Sequence, residues 1–236
     1  MYIKETDSTN TYLRAMLHQQ SLPEGFIVRT DFQTSGKGQK GNSWESERGK
    51  NLLFSILLYP SELAIEKQFL ISQLISIAIK KSLDKYSSGF SVKWPNDIYY
   101  FDKKIGGILI ENIIQGSRIK SMIAGIGLNI NQKKFESDAP NPVSLMQITG
   151  KRTARMPLLK NIFKNIMELY FLRDKEKIAA IYAESLYRKE GFHLYKADGE
   201  EFRARIVRVH PDGKLELETT GAGIREYYFK EVTFVI

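Results

Sequence analysis

KWPNDIYYFDKKIGGILIE, residues 93–111, sets strand-like and turn-like chemistry side by side. Val92 and Ile98–Phe101 on one side, and Ile105–Ile110 on the other, predict two β-strands, with Asp102-Lys103-Lys104 as a short polar connection between them, the pattern of a hairpin. Pro95-Asn96-Asp97 is turn chemistry: proline presets φ, and Asn and Asp can bond their own backbone. Gly106-Gly107 opens the second strand, and glycine inside a strand marks a bulge or a close approach by a ligand. Two lysines beside that opened backbone suit a carboxylate or a phosphate. An isolated pair of turn lysines is more often simply solvated, so the reading rests on other stretches that belong with this one.

Working outward toward the N-terminus, Asp7-Ser8-Thr9-Asn10 are capping residues before Tyr12, Leu13, Met16 and Leu17, which recur at helical spacing. A helix start offers unpaired N–H groups, and Ser8 and Thr9 add hydroxyls for a polar ligand. Phe26–Thr30 predicts a strand. Gln33–Asn51, QTSGKGQKGNSWESERGKN, is a glycine-rich cationic loop able to form a concavity of backbone N–H groups, although its spacing is neither a Walker loop nor a dinucleotide fingerprint. Asn51–Leu58 is a near-continuous apolar run, the mark of a strand buried on both faces. Residues 62–86 predict a long amphipathic helix with Phe69, Leu70, Leu74, Ile77 and Ala78 on one buried face.

On the C-terminal side, 118–129 reads as a strand ending in Gly125-Ile126-Gly127, with Asn129 and Asn131 at its exit; the two glycines share a face and leave a flat surface for a planar ring. Residues 132–152 predict a polar connection, and Leu159, Ile162, Phe163, Ile166 and Tyr170 a further helix. Beyond Gly191, Phe202–Val209, Leu215–Leu217, Tyr227–Phe229 and Val232–Ile236 are short β runs separated by turn residues, which suggests a small barrel.

Composition narrows the chemistry. There is no cysteine among 236 residues, which excludes disulfides, thiol nucleophiles and cysteine metal sites, and three scattered histidines argue against a histidine zinc site. No apolar run reaches membrane-spanning length and the start lacks a signal segment, so a soluble, cytoplasmic protein without membrane partners is expected. The net charge of +8 raises nucleic acid as a partner, but residues 151–196 carry eleven Lys/Arg against five Asp/Glu on a mostly helical stretch. Helical spacing there predicts buried aromatics rather than a basic, aromatic nucleic-acid surface, and an acidic partner protein is the preferred use for the charge.

Taken together, Asp7-Ser8-Thr9-Asn10, GKGQKGNSW, KWPND at 93–97, KKIGGILIE at 103–111 and GIGLNIN at 125–131 resemble the biotin–protein ligases, in order and in spacing over nearly the whole chain. The resemblance implies an α+β fold: a catalytic domain (1–187) of about seven mixed strands with helices packed on one face, as in class II synthetase-like biotin/lipoate ligases, and a C-terminal SH3-like barrel (188–236). It implies activation of biotin by ATP with Mg²⁺, then transfer to a lysine of a biotin carboxyl carrier protein domain. Ser8, Thr9, Asn10, Gln33 and Gly107 would hold biotin; Lys37, Gly38 and Gln39 would cover biotin and the adenylate; Lys104, with Lys37, would be catalytic at the carboxylate. Lys40, Trp44, Asn96 and Asn129 match nucleotide-binding positions, and Asp97 a metal-side carboxylate, the least specific transfer. The family loop often reads GRGRRG; here lysine and glutamine replace its bidentate arginines. The chain starts within a few residues of the catalytic motifs, so the single-function form without an N-terminal DNA-binding domain is expected, with no specific DNA partner; a homodimer stays open. A lipoate–protein ligase and a basic nucleic-acid-binding module are the alternative readings.

Overall fold

The computed structural model describes residues 1–236 except Lys40, Ser117, Asp138, Ala139, Arg173 and Ala222. In chain order the elements are β1 (Tyr2–Ile3), α1 (Thr9–Gln19), β2 (Ile27–Thr30), β3 (Leu52–Leu58), α2 (Phe69–Leu83), β4 (Phe90–Lys93), β5 (Asp97–Tyr100), β6 (Lys103–Gln115) and β7 (Arg118–Leu128). There follow α3 (Leu145–Thr149), α4 (Arg155–Leu172), α5 (Lys175–Glu184), β8 (His193–Ala197), β9 (Glu200–Val209), β10 (Leu215–Thr219), β11 (Gly223–Tyr227) and β12 (Thr233–Phe234).

Seven strands form a mixed sheet in the order β1-β2-β3-β7-β6-β5-β4, with β1 parallel to β2 and the other neighbours antiparallel. β3, apolar except for Ser55, lies near its middle and is buried at every position. Alternate residues of the inner strands then face two cores. Phe54, Ile56, Ile98, Ile108, Met122 and Ile126 pack with α2, α4 and α5, whereas Leu57, Val28 and Ile123 pack with Leu13 of α1. Helices therefore lie on both faces, not on one: α1 carries its own apolar stripe and β3 and β7 have a second apolar face to cover.

The 62–86 expectation also changes. The α-helix begins at Phe69, after a short 3₁₀ turn at Ile65–Lys67, and it is buried nearly all round because α4 and α5 cover the side turned away from the sheet. Its serines survive burial by bonding locally: Ser76 and Ser82 donate to the carbonyls of Ser72 and Ala78, both at 2.7 Å. The connection at 132–152 contains α3, held by a capping box between Ser144 and Gln147 and stopped at Gly150 in the left-handed region. In α4, Phe171 is 59% exposed, against the expectation that this region buries its aromatics.

The last five strands form a separate antiparallel sheet, β11-β10-β9-β8-β12. The third run ends at Tyr227 instead of beginning there. Among the described residues no helix is long and apolar enough to cross a membrane.

Candidate functional site

A cavity of about 780 Å³ opens on the α1 face of the large sheet. Its floor is a row of residues paired across four strands: Gly127 of β7 with Gly107 of β6, Gly107 with Asp97 of β5, and Asp97 with Lys93 of β4. Every site residue expected from the sequence lines this cavity except Lys40, which lies outside the described residues: Ser8, Thr9, Asn10, Gln33, Lys37, Gly38, Gln39, Trp44, Asn96, Asp97, Lys104, Gly107 and Asn129.

At one end stands the start of α1. Ser8 occupies the N-cap position, but its hydroxyl makes no cap bond. The cap is supplied from a distance, because Gln33 Oε1 accepts both the backbone N–H of Thr9 (2.8 Å) and its hydroxyl (3.1 Å). That leaves the Gln33 amide nitrogen without a partner among the described residues, a donor at the cavity wall. Beneath, the fully buried Ser55 of β3 bridges Thr9 Oγ1 (2.7 Å) and Asn10 Oδ1 (2.6 Å), and Asn10 Nδ2 donates to Glu111 Oε2 (2.8 Å). Ser55 escapes a sequence reading because one serine in LLFSILL looks like a tolerated small residue.

The loop after Gln33 is a small hairpin, with Trp44 N–H bonded to Gly36 O and Gly38 N–H to Asn42 O, both at 2.9 Å. It lays the Trp44 indole flat on Gly127, where a Cβ would come within 2.5 Å of the ring; a Cβ on Gly125 would meet Asn10 Oδ1 at 2.4 Å. The flat glycine surface is thus already covered by side chains of this chain. Lys37, exposed, donates to Thr11 Oγ1 at 3.0 Å.

The 93–111 stretch forms the other end. Lys103 and Lys104 sit in β6, not in the connection, and a register shift decides which of them faces the cavity. Ile98 pairs with Gly106 but Tyr99 pairs with Lys104, so Ile105 is an inserted residue. Ile105 and Gly106 both turn toward the α2 core, where Ile105 is fully buried and a Cβ on Gly106 would strike Leu128 at 2.3 Å. Lys104 is thereby turned onto the cavity side with Gly107, and its ammonium pairs with Asp97 at 2.7 Å. Asn96 donates its side-chain amide to Ile108 O, and the Trp94–Pro95 bond of its loop is cis. Asn129 Oδ1 and Trp44 Nε1 are buried without a partner among the described residues, and both residues line the cavity, where a bound molecule would satisfy them.

Three wall components were missed. Lys93 was quoted without a role, although its pairing with Asp97 puts it on the floor row. Burial lowers its pKa, and Asp97 counters this while Lys104 adds to it. Tyr99 also lines the cavity, its hydroxyl pKa pushed up by burial and by Asp97. Lys230, Val232, Thr233 and Phe234 close the far side from the small sheet. That sheet is fastened to the 93–97 loop by a buried bond from Trp94 Nε1 to Gly213 O at 2.9 Å and by the ring of Phe229, 5.4 Å from that of Trp94. Short chain-terminal runs carry no pattern that would tie them to a site so far back in sequence.

A metal would find few ligands here. Glu45 spends its carboxylate on Gln132 and the backbone of Glu136 and Ser137, which outweigh burial and hold its pKa below the ordinary value. Asp97 has one oxygen on Lys104 and the other free among the described residues. His210, Glu216 and Glu226 gather within 4.8 Å of one another, but in the small sheet, and there Arg208 and Lys214 already neutralise the two carboxylates.

Residues 2–131 match the Biotin/lipoate A/B protein ligase family. The bifunctional ligase/repressor BirA of Bacillus subtilis is 32% identical over 227 residues, which are 92% of this chain and 68% of that protein. The biotin–protein ligase of Homo sapiens is 36% identical over 138 residues, 55% of this chain and 19% of the human protein. Among solved structures, the biotin protein ligase from Aquifex aeolicus in complex with biotin and ATP superposes with a TM-score of 0.81 at 26% identity, covering 99% of this chain and 97% of that one.

Proposed function

This chain belongs to the biotin/lipoate A/B protein ligase family, and from that premise we propose that it is a biotin–protein ligase, which activates biotin with ATP and transfers it to a lysine of a carrier protein. The observation that carries the reading is the single cavity that collects KWPND, Lys104, the Gly36–Trp44 loop and the hydroxyl end of α1 along one row of paired strands. Such a row suits a long ligand with a polar head at one end and a carboxylate at the other.

In this reading the head lies at Ser8, Thr9, Asn10 and Gln33, whose free amide N–H would meet a carbonyl oxygen. The carboxylate reaches Lys104 under Lys37, Gly38 and Gln39. Attack of a carboxylate oxygen on the α-phosphorus forms the mixed anhydride and breaks the bond to pyrophosphate. A lysine amine of the carrier then attacks the acyl carbon, loses a proton and releases AMP. No protein nucleophile is required. Both partners of the first step are anionic, so a fixed cation between them lowers the barrier by opposing charge that is greatest in the transition state. Trp44, Asn96 and Asn129 are assigned to the nucleotide. Mg²⁺ that arrives on the nucleotide's phosphates needs one or two protein carboxylates, and Asp97, with its free oxygen, would supply one; the ion would neutralise the leaving pyrophosphate. The five-stranded sheet is assigned as an SH3-like domain from about residue 188.

Incubation with biotin, ATP, Mg²⁺ and a biotin-carrier domain, followed by mass measurement of the carrier, is the direct test. One biotinyl group per carrier is expected, and lipoate in place of biotin should give none. Modification by lipoate alone would overturn the reading.

A further inference from the structure

The hydroxyl end of the cavity has a hydrogen-bonding direction, and a residue that does not line the cavity sets it. Ser55, Gly125 and Leu109 pair side by side across β3, β7 and β6. Asn10 of α1 sits in the notch left by Gly125, where a Cβ would come within 2.4 Å of its Oδ1. On one side its Nδ2 donates to Glu111 Oε2 at 2.8 Å and to Leu109 O at 3.3 Å; on the other its Oδ1 meets the Ser55 hydroxyl at 2.6 Å. A carboxylate and a carbonyl accept and cannot donate, so only one orientation of the Asn10 amide satisfies them. Arg14, one turn further along α1, pairs with Glu111 Oε1 at 3.3 Å and keeps the carboxylate over Asn10.

The consequence passes through a hydroxyl. Ser55 has one proton and two acceptors, Asn10 Oδ1 at 2.6 Å and Thr9 Oγ1 at 2.7 Å. With Oδ1 turned toward it, Asn10 draws that proton, and the Thr9 proton goes to Gln33 Oε1. A lone pair of Thr9 Oγ1 is left for the cavity, beside the donor that the Gln33 amide supplies. Were the Asn10 amide reversed, its Nδ2 would donate to Ser55, the Ser55 proton would be spent on Thr9, and that acceptor would close. An acceptor beside a donor complements the edge of a cyclic urea or amide, which a dithiolane ring lacks. Resting on the ligase reading, we propose that Glu111 is a positioning residue that fixes this direction, so that Thr9 accepts a ring N–H of the substrate while Gln33 donates to its carbonyl oxygen.

The test compares Kd values, by titration, for biotin and for the two analogues in which one or the other ring N–H is replaced by oxygen. Wild type should reject one analogue by roughly 100-fold, the size of one buried donor–acceptor mismatch. In Glu111→Gln the one remaining oxygen is drawn to the charged Arg14, which turns the new NH2 toward Asn10 and reverses its amide. Biotin binding should weaken about tenfold while the rejected analogue keeps its own Kd, so that discrimination shrinks about tenfold. Asn10→Asp alone sets two carboxylates face to face and should bind biotin poorly. The double variant Asn10→Asp/Glu111→Gln swaps donor and acceptor at this one bond and again offers Ser55 an acceptor, so it should restore discrimination, at the cost of the longer bond to Leu109 O. Arg14→Gln, which leaves the carboxylate in place, should discriminate as wild type does. A thermal melt identifies any single variant that loses its fold, in which case the double variant against wild type decides. An unchanged ratio in Glu111→Gln, an equal loss for all three ligands, or a double variant no better than Glu111→Gln would overturn the role of Glu111 and leave the ligase reading intact. Failure of the wild-type protein to bind biotin would overturn both.

Discussion

Replacing Lys104 by Gln removes the charge from the one lysine that the inserted Ile105 turns into the cavity, and keeps most of the side chain's reach. Pyrophosphate release should slow by roughly 10²–10³-fold, as for other lost transition-state donors. The melting temperature should barely move, since partly exposed ion pairs such as Lys104–Asp97 contribute at most about 1 kcal/mol. Lys103→Gln, one residue away but on the exposed side, should leave both quantities alone; equal losses would mean that the bulge does not select between them. Ser55 tests the other end. Ser55→Ala strands Thr9 and Asn10 in a buried setting, which should cost about 1–3 kcal/mol in a denaturant titration and weaken biotin binding about tenfold. These two residues differ in how legible they are. Lys104 could be named because KKIGGILIE resembles the family's motif, whereas the residues alone offered a lysine pair more often solvated than functional. Ser55 could not, because alternation places it on a face but only the fold shows what that face meets. Lys93 is intermediate: its motif was plain, but its direction depended on a register that no sequence prints.

At the scale of elements, the Gly36–Trp44 hairpin is tied at its base and exposed at Gly41, Asn42 and Ser43. It should open in the free protein and close over ligand, so trypsin should nick after Lys37 without ligand, and biotin with ATP should protect that bond. Equal cleavage in both states would mean that the hairpin is not a lid. The strands were readable because their apolar runs and turn residues are local signals. Two helices were not read correctly, for opposite reasons. α3 is too short for a periodic pattern, although Ser144, Gln147 and Gly150 spell out its two ends. α2 was read as amphipathic with one buried face, whereas its serines each bond within their own turn or to a neighbour and can be buried. The placement of α1 on its own face needed the sheet to be known first.

Across the whole molecule, the basic helices and the cavity turn out to lie on opposite sides of the sheet, since α4 and α5 pack over α2 and the cavity opens beside α1. An acidic carrier held by α4 and α5 would have to reach round the sheet to present a lysine to the site; total charge was legible and its distribution was not. Two carboxylates should shape the response to acid. For Asp31, burial alone would raise the pKa, but hydrogen bonds from Tyr2 and Arg155 outweigh it; for Glu45, bonds from its neighbours do the same. Both therefore stay ionised in the folded protein below the pKa of about 4 that they have when unfolded. Their stabilisation is fully present above that value and is lost as pH falls through the lower folded values. Urea midpoints should be flat from about pH 7 to 5 and fall steeply below about 4, and Arg155→Leu should make that fall shallower. The bond from Trp94 to Gly213 has a different sort of use. The chain has two tryptophans: one indole N–H is locked between the two sheets and the other, on Trp44, is buried without an acceptor among the described residues. In a nitrogen-15 spectrum the first should exchange with solvent only when the sheets part, and the second should shift only when the cavity fills. The protein thus carries two native resonances that report separately on its assembly and on its occupancy, with no foreign probe attached.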